Sequence, residues 1–215
     1  MENPFRDPIP AGTRLIETFG FRVGQGIARQ DLHLARLEHS AQALGFACDI
    51  ADVRDKLDAI DCDIDLRCRL TLDADGCVEI QAVQLPPAPT APWRFQIAPK
   101  TVSSDDPWLQ HKTTQRATYD QARADLADTI DELIFVNERG ELCEGTITNI
   151  AVATAKGDHL TPPLSSGCLP GVYRQSQLDA GHWREAILTP ADLKSASRII
   201  LSNSLRGEIT GALQS

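Results

Sequence analysis

The sequence predicts an α+β protein in two lobes, and three observations carry that expectation. Residues 64–85, IDLRCRLTLDADGCVEIQAVQL, alternate apolar and polar side chains on both sides of an Asp-Gly pair, the signal of a β-hairpin. Residues 29–46 carry Leu34, Leu37, Ala41 and Leu44 at helical spacing and stop at Gly45, so they read as an amphipathic helix. Residues 86–92, PPAPTAP, contain four prolines, which neither a helix interior nor a central strand accommodates. They read as a linker between an N-terminal α/β lobe, residues 1–85, and a C-terminal lobe, residues 93–215.

The other elements follow in chain order. Residues 13–24, TRLIETFGFRVG, mix aromatic and β-branched side chains with punctuating glycines and predict a strand and a turn. On the helix at 29–46, Asp31, Glu38 and Gln42 make the wet face. His33, Arg36 and Ser40 fall along the interior edge of the apolar stripe. Residues 53–60 read as a short helix, 93–99 as a strand, 115–129 as a helix and 131–137 as a strand. ERG makes a turn, and residues 141–154 hold one or two strands. Residues 159–181 run from a loop into a helix, with Pro170 and Gly171 just before its start. The chain closes as strand, helix, strand and turn, with no internal repeat.

Bulk properties narrow the function. A chain of 215 residues that is 42% hydrophobic can bury a real core. A net charge of −9 with no basic stripe argues against a nucleic-acid partner or an anionic membrane surface. No apolar run approaches the roughly 20 residues that span a bilayer. The opening MENPFRDPIPAG lacks the apolar stretch of a secretory signal, so a cytoplasmic location is expected. Six cysteines, at 48, 62, 68, 77, 143 and 168, form no CxxC pair and match no zinc spacing. Neither a metal site nor a disulfide framework is expected of them.

Chemistry concentrates in a few places: Arg36 on the helix edge, Lys112 in DPWLQHKTTQRATYDQA, Glu144 in CEGTITNI, and the turns CLPGVYR and SNSLRG. Together they suit an anionic cofactor. An arginine fork and turn amides hold a phosphate, a lysine condenses with an aldehyde, and a glutamate keeps a pyridine nitrogen protonated. Taken singly, each has an ordinary reading. Arg36 fits a surface ion pair, Glu144 a solvated strand residue, and the LPG turn plain helix N-terminal geometry.

Five segments in order make the set more than a collection. HLARLEHSA, HKTTQRATYD, DELIFVNERGELCEGTITNIAV, TPPLSSGCLPGVYRQ and SNSLRGEI resemble the class IV aminotransferases, the fold-type IV enzymes dependent on pyridoxal 5′-phosphate, over about residues 13–209. The resemblance implies a two-lobed fold of the D-amino acid aminotransferase kind with the cofactor between the lobes. It implies Arg36 on the cofactor phosphate, Lys112 as the Schiff-base lysine and catalytic residue, and Glu144 on the pyridinium nitrogen. It implies backbone amides of Val172 and Tyr173 and the hydroxyl of Ser204 around the phosphate, with Asn149 supporting the cofactor-facing strand. Thr18 and Phe19 would face substrate from the first strand. Because alternation points neighbouring side chains of an extended segment apart, His111 is expected to be structural.

HKTTQRATYD with SNSLRG is most similar to the aminodeoxychorismate lyase branch, which converts 4-amino-4-deoxychorismate to 4-aminobenzoate and pyruvate in folate synthesis. A small-molecule amine substrate and a homodimer are implied. The alternatives are an aminotransferase for D-amino or branched-chain amino acids, and a degenerate homologue that keeps the fold as a binding module. Three departures from the family pattern stand out. The strands that usually precede LIETF give way to a proline-rich leader. The tyrosine that follows the lysine by five positions in branched-chain enzymes is Ala117, with Tyr119 later. Tyr173 occupies a position where a small hydroxyl residue is common, implying a backbone contact only.

Overall fold

The computed structural model describes residue 5 and residues 8–214. Residues 1–4, 6 and 7 of the leader and residue 215 lie outside the described residues. The chain falls into two compact units, Met1–Pro87 with His111–Gln115, and Ala88–Gln110 with Arg116–Ser215. The lysine segment therefore packs with the first unit and not, as the sequence predicts, with the C-terminal lobe of residues 93–215. The cause is backbone pairing with a strand about a hundred residues earlier, which no local pattern reveals.

In the first unit, strand β1 (Leu15–Arg22) lies between β2 (Gly26–Ile27) and β3 (Leu66–Leu72), and β4 (Val78–Gln84) forms the far edge. All pairings are antiparallel, and the β3–β4 hairpin runs in register from Leu72↔Val78 to Leu66↔Gln84. Its loop is organised by Asp73, whose Oδ1 accepts from the Asp75 and Cys77 N–H groups at 3.1 and 2.8 Å. Helix α1 (Gln30–Leu44) buries Leu34, Leu37, Ala41 and Leu44 as the spacing predicts, along with His33 and Ser40. It ends at Gly45, where the Phe46 N–H reaches back to the Ala41 carbonyl at 2.9 Å.

Helix α2 (Ile50–Asp58) starts three residues before its expected position. The Asp49 side chain caps it by accepting from Ala51 and Asp52 N–H, a signal the periodicity reading passed over. Residues 112–114 run along β1. Ile16 N–H donates to the Lys112 carbonyl at 2.8 Å, Thr114 N–H to the Arg14 carbonyl at 2.9 Å, and Leu15 faces Thr113 in an antiparallel bridge.

The second unit is built on one eight-stranded sheet. Its strands are β5 (Trp93–Ile97), β6 (Glu132–Val136), β7 (Leu142–Gly145), β8 (Asn149–Ala153), β9 (His159–Thr161), β10 (Trp183–Glu185), β11 (Arg198–Asn203) and β12 (Gly207–Leu213). They are ordered β10-β9-β8-β11-β12-β5-β6-β7, and β7 also pairs with β8. That extra pairing closes a ring through β8, β11, β12, β5, β6 and β7, which removes the open sheet edge at β7. Phe95, Ile134, Leu142, Ile150, Val152, Leu201 and Ile209 form its main core. The intervening residues Ala151 and Ile200 turn to the other face and pack with Trp183, against Tyr173 and Leu178 of helix α4 (Val172–Asp179).

Two differences from the sequence expectation have a tertiary cause. Helix α3 (Ala117–Ala124) is shorter than the expected 115–129, because residues 125–130 turn to bring the Asp131 N–H onto the Arg94 carbonyl at 2.7 Å. The last segment is strand β12 rather than a turn, held antiparallel to β11 and parallel to β5. Strands β2 and β9, of two and three residues, are too short to show a period. Helix α5 (Pro190–Ser195) forms as expected, with a capping box between Thr189 and Asp192. Among the described residues no helix is long and apolar enough to cross a membrane. The six cysteines are unpaired, and no group of three His, Cys, Asp or Glu in the described residues is arranged to hold a metal.

Candidate active site

In the first unit the chemistry gathers where β1 packs on α1. Glu17 projects from β1 toward the helix and takes both partners one turn apart: Arg36 donates from Nε to Oε1 at 2.8 Å and from an Nη to Oε2 at 2.6 Å. His33 Nδ1 lies 2.5 Å from the same Oε2. Burial pushes the Glu17 carboxyl up, but the Arg36 guanidinium and then the His33 ring outweigh it and hold it at about 2. Burial pushes the His33 imidazole down against the pull of Glu17. The result is a guanidinium whose plane is fixed by a fork-to-fork contact, the geometry that suits an anion-binding arginine.

The other expected residues of this unit divide. Lys112 is half-buried at the edge of β1. Phe19 is 0% exposed and packs edge-on to His33 at 5.5 Å between centroids, so it belongs to the core beneath α1. Its neighbour Thr18 projects to the opposite face of the sheet. The two cannot face one substrate together, as the sequence reading had them do. His111 is buried, with Nδ1 3.0 Å from Ser40 Oγ and its ring stacked on His39. Burial, and secondarily His39, pushes its pKa down to about 4.

That last environment gives a pH prediction. His111 titrates near 6.5 when unfolded and near 4 when folded, so from about pH 6.5 downward the unfolded chain binds more protons. Stability from this group is complete above pH 6.5 and is lost as pH falls toward 4. The depressed Glu17 adds a loss in the same direction below about 4.5. Urea midpoints measured at several values from pH 7 to 4.5 will fall with pH, and His111→Asn will flatten the upper part of the curve.

In the second unit the centre is Glu144, the residue of β7 that pairs with Asn149 of β8. The residue is 7% exposed. Its Oε1 accepts from Tyr119 Oη at 3.0 Å, and its Oε2 accepts from the Leu169 N–H at 3.0 Å and from Asn149 Nδ2 at 3.5 Å. Asn149 also donates to the Leu169 carbonyl at 2.9 Å, which ties β8 to the LPG turn. Gly171 lies so close to this amide that a β-carbon there would stand 1.7 Å from Asn149 Oδ1. The turn can therefore lie flat on Asn149 only with glycine at that position, and helix α4 starts immediately after it with Val172 and Tyr173. Ser204 sits in the β11–β12 turn, where the Arg206 N–H is held by Asn203 Oδ1 at 2.9 Å. Gly207 of that turn lies close to the Tyr173 ring.

Four residues of these clusters escaped the sequence reading. Glu17 and Tyr119 look like ordinary strand and helix residues, since nothing local says what they touch. Ser202 is 0% exposed, pairs in register with Asn149, and its Oγ has no hydrogen-bond partner. It shares the face of Ile200, toward α4. Glu132 is 0% exposed and accepts from the N–H groups of Thr146 and Ile147 and the hydroxyls of Thr146 and Thr148, so it shapes the turn between Glu144 and Asn149. Only the adjacent acidic pair Asp131–Glu132 at the start of an apolar strand hinted at it.

Comparison with known proteins bears on what these groups serve. The family model for amino-transferase class IV matches residues 14–211. Aminodeoxychorismate lyase of Saccharomyces cerevisiae is 31% identical over 121 residues, 48% of this chain and 32% of the yeast protein. The match thus spans about a third of that relative's length. A Mesorhizobium loti structure, assigned as an amino-acid aminotransferase, is 41% identical with a TM-score of 0.87, covering 94% of this chain and all of that one. A hypothetical aminotransferase of Mycobacterium tuberculosis in its PLP-bound form is 19% identical with a TM-score of 0.80, covering 94% of this chain and 81% of that one.

The residues present fit the family's cofactor, pyridoxal 5′-phosphate. Glu144 is a buried carboxylate on fixed donors, matched to a cationic ring nitrogen. The Gly171 turn, the start of α4 and the orphaned Ser202 hydroxyl carry donors suited to a phosphate. The chain belongs to the class IV aminotransferase family, whose enzymes, lyases and aminotransferases alike, work with pyridoxal phosphate.

Proposed function

We propose that the chain is a 4-amino-4-deoxychorismate lyase, releasing 4-aminobenzoate and pyruvate in folate biosynthesis. The observation that carries the choice is the 31% identity to the yeast aminodeoxychorismate lyase. When bound, pyridoxal phosphate supplies an electron sink for the bond broken beside the substrate nitrogen.

Lys112 would hold the cofactor through its amine, and the same amine, when free, would take the proton from the amine-bearing carbon as general base. It must be neutral to do so, and the positive ring nitrogen of a bound cofactor would favour the neutral amine. Glu144 holds the ring nitrogen protonated. Arg36 binds the phosphate, with its plane set by Glu17. The Val172 and Tyr173 amides and the Ser204 hydroxyl complete the phosphate contacts. Asn149 keeps Glu144 and the LPG turn in place, and Thr18 faces substrate. Loss of the enolpyruvyl group leaves an aromatic ring, which makes that step downhill. We further assign a homodimer, a cytoplasmic location and the joining of two lobes through residues 86–92.

An aminotransferase reading has its own support in the 41% identity to the Mesorhizobium loti structure. It shares every residue role up to the point where the proton is returned. The discriminating experiment supplies 4-amino-4-deoxychorismate in one arm, and D- or branched-chain amino acids with 2-oxoglutarate in the other. Equal amounts of pyruvate and 4-aminobenzoate in the first arm, well above any transfer in the second, are expected. Transfer without pyruvate would move the assignment to the aminotransferase. Silence in both arms from a protein that takes up no cofactor would mark a binding module.

A further inference from the structure

The Tyr119 hydroxyl makes a direct contact to the Glu144 carboxylate. It donates to Oε1 at 3.0 Å, from a ring held edge-on to Phe135 at 4.9 Å and covered by the Arg116 guanidinium at 5.7 Å. Burial, and then Glu144 itself, pushes the phenol far above its ordinary range, so it remains a donor at every pH at which the protein is folded. A carboxylate taken out of water loses its preference for the charged form unless donors restore it. Tyr119 Oη donates to one oxygen of Glu144, and the Leu169 N–H and Asn149 Nδ2 donate to the other.

We propose that Tyr119 is a positioning residue for the cofactor: its hydroxyl keeps the Glu144 carboxylate ionised and turned to receive the ring nitrogen. The inference rests on the reading of Glu144 as the ring-nitrogen partner. Without the hydroxyl, Oε1 loses this hydrogen bond while the burial remains, and the acid form competes at a higher pH. A neutral carboxyl holds a pyridinium poorly, so cofactor affinity should become sensitive to acid. The neighbouring thiols stay protonated through the useful range, because burial raises Cys143 to about 12 and pushes Cys168 higher still.

The test is the dissociation constant of pyridoxal phosphate from Tyr119→Phe and from the unaltered protein, by absorbance titration between pH 5.5 and 8. Taking the ratio of the two constants cancels the titration of the cofactor and of Lys112. The ratio should be roughly 10 at the acid end and about 2 at the alkaline end, the scale of one hydrogen bond to a charged group. A ratio that stays flat across the range overturns the proposal, because lost packing would weaken binding equally at every pH. Glu144→Gln separates the two levels. If it leaves affinity and colour unchanged, the reading of Glu144 fails and this inference with it. If it weakens binding while the Tyr119→Phe ratio is flat, this inference alone fails. Should Tyr119→Phe not fold, the unaltered protein answers. With 13Cζ-tyrosine, of which the chain holds two, the Tyr119 resonance should move when cofactor is added, and an unmoved resonance overturns the proposal.

Discussion

Lys112→Ala will leave the protein folded, colourless in the presence of pyridoxal phosphate, and without measurable turnover. The backbone at this position is secured independently of the side chain. The Lys112 carbonyl accepts from Ile16 N–H, Thr114 N–H is bonded to the Arg14 carbonyl, and Gln115 Nε2 donates to Thr13 Oγ1 at 2.8 Å. The amine can therefore be removed while the segment stays on β1, and thermal stability should shift by no more than a few degrees. Turnover should fall by at least about 10³-fold, because loss of a positioned general base alone costs roughly 10²–10⁴ and the covalent attachment goes with it. Lys112→Arg should behave the same way, since a guanidinium keeps the charge and cannot condense with an aldehyde. A yellow Lys112→Ala protein that retains its absorbance band would refute the assignment of this residue.

Glu132→Ala should be among the most destabilising single changes in the second unit. Its carboxylate, 0% exposed, accepts from the N–H groups of Leu133, Thr146 and Ile147 at 3.0, 2.9 and 3.2 Å, from Thr148 Oγ1 at 3.0 Å, and from the Thr146 hydroxyl. Arg123 Nη1 stands 3.8 Å away, the one cation near it among the described residues, and it also donates to Thr146 Oγ1. Removing the acceptor leaves several buried donors without a partner around a cavity, and the cost should be about 3–5 kcal/mol. In a chain of this size that lowers the melting temperature by roughly 10 °C. Glu132→Gln keeps the volume but brings an NH2 group against donors, so it should cost less, about 1–3 kcal/mol. Denaturant unfolding of the three proteins decides the matter. A Glu132→Ala protein within ~1 kcal/mol of the parent would show that the 145–148 turn holds without its carboxylate. Gly145 belongs to the same construction, since a β-carbon there would stand 2.8 Å from Glu132 Cδ.

The two clusters differ in what the sequence could reveal. Arg36 and His33 were readable as interior-edge residues because helical spacing fixes which side chains share a face. Their common partner Glu17 was not, because a strand's period gives the face but not what packs over it. Glu144, Asn149 and the LPG turn were readable as a set only through resemblance to a family. Their contacts come from strand pairing, Glu144 opposite Asn149 and Asn149 opposite Ser202. The Phe19 expectation failed for a simple reason: a strand with helix α1 on one face cannot show two adjacent side chains to the same ligand.

The sequence by itself determined the hairpin, the stripe and end of α1, the position of α4 after Pro170 and Gly171, and the residue types available for an anionic cofactor. These are set within a few turns of chain, by backbone sterics and side-chain periodicity. Only the tertiary structure decided that β7 closes onto β8, that β12 is a strand beside β5, that Glu132 lies beneath the 145–148 turn, and that residues 112–114 pair with β1. Each of these depends on backbone or carboxylate groups that leave water only if a distant segment supplies their hydrogen bonds, and the identity of that segment is not written next to them in the chain.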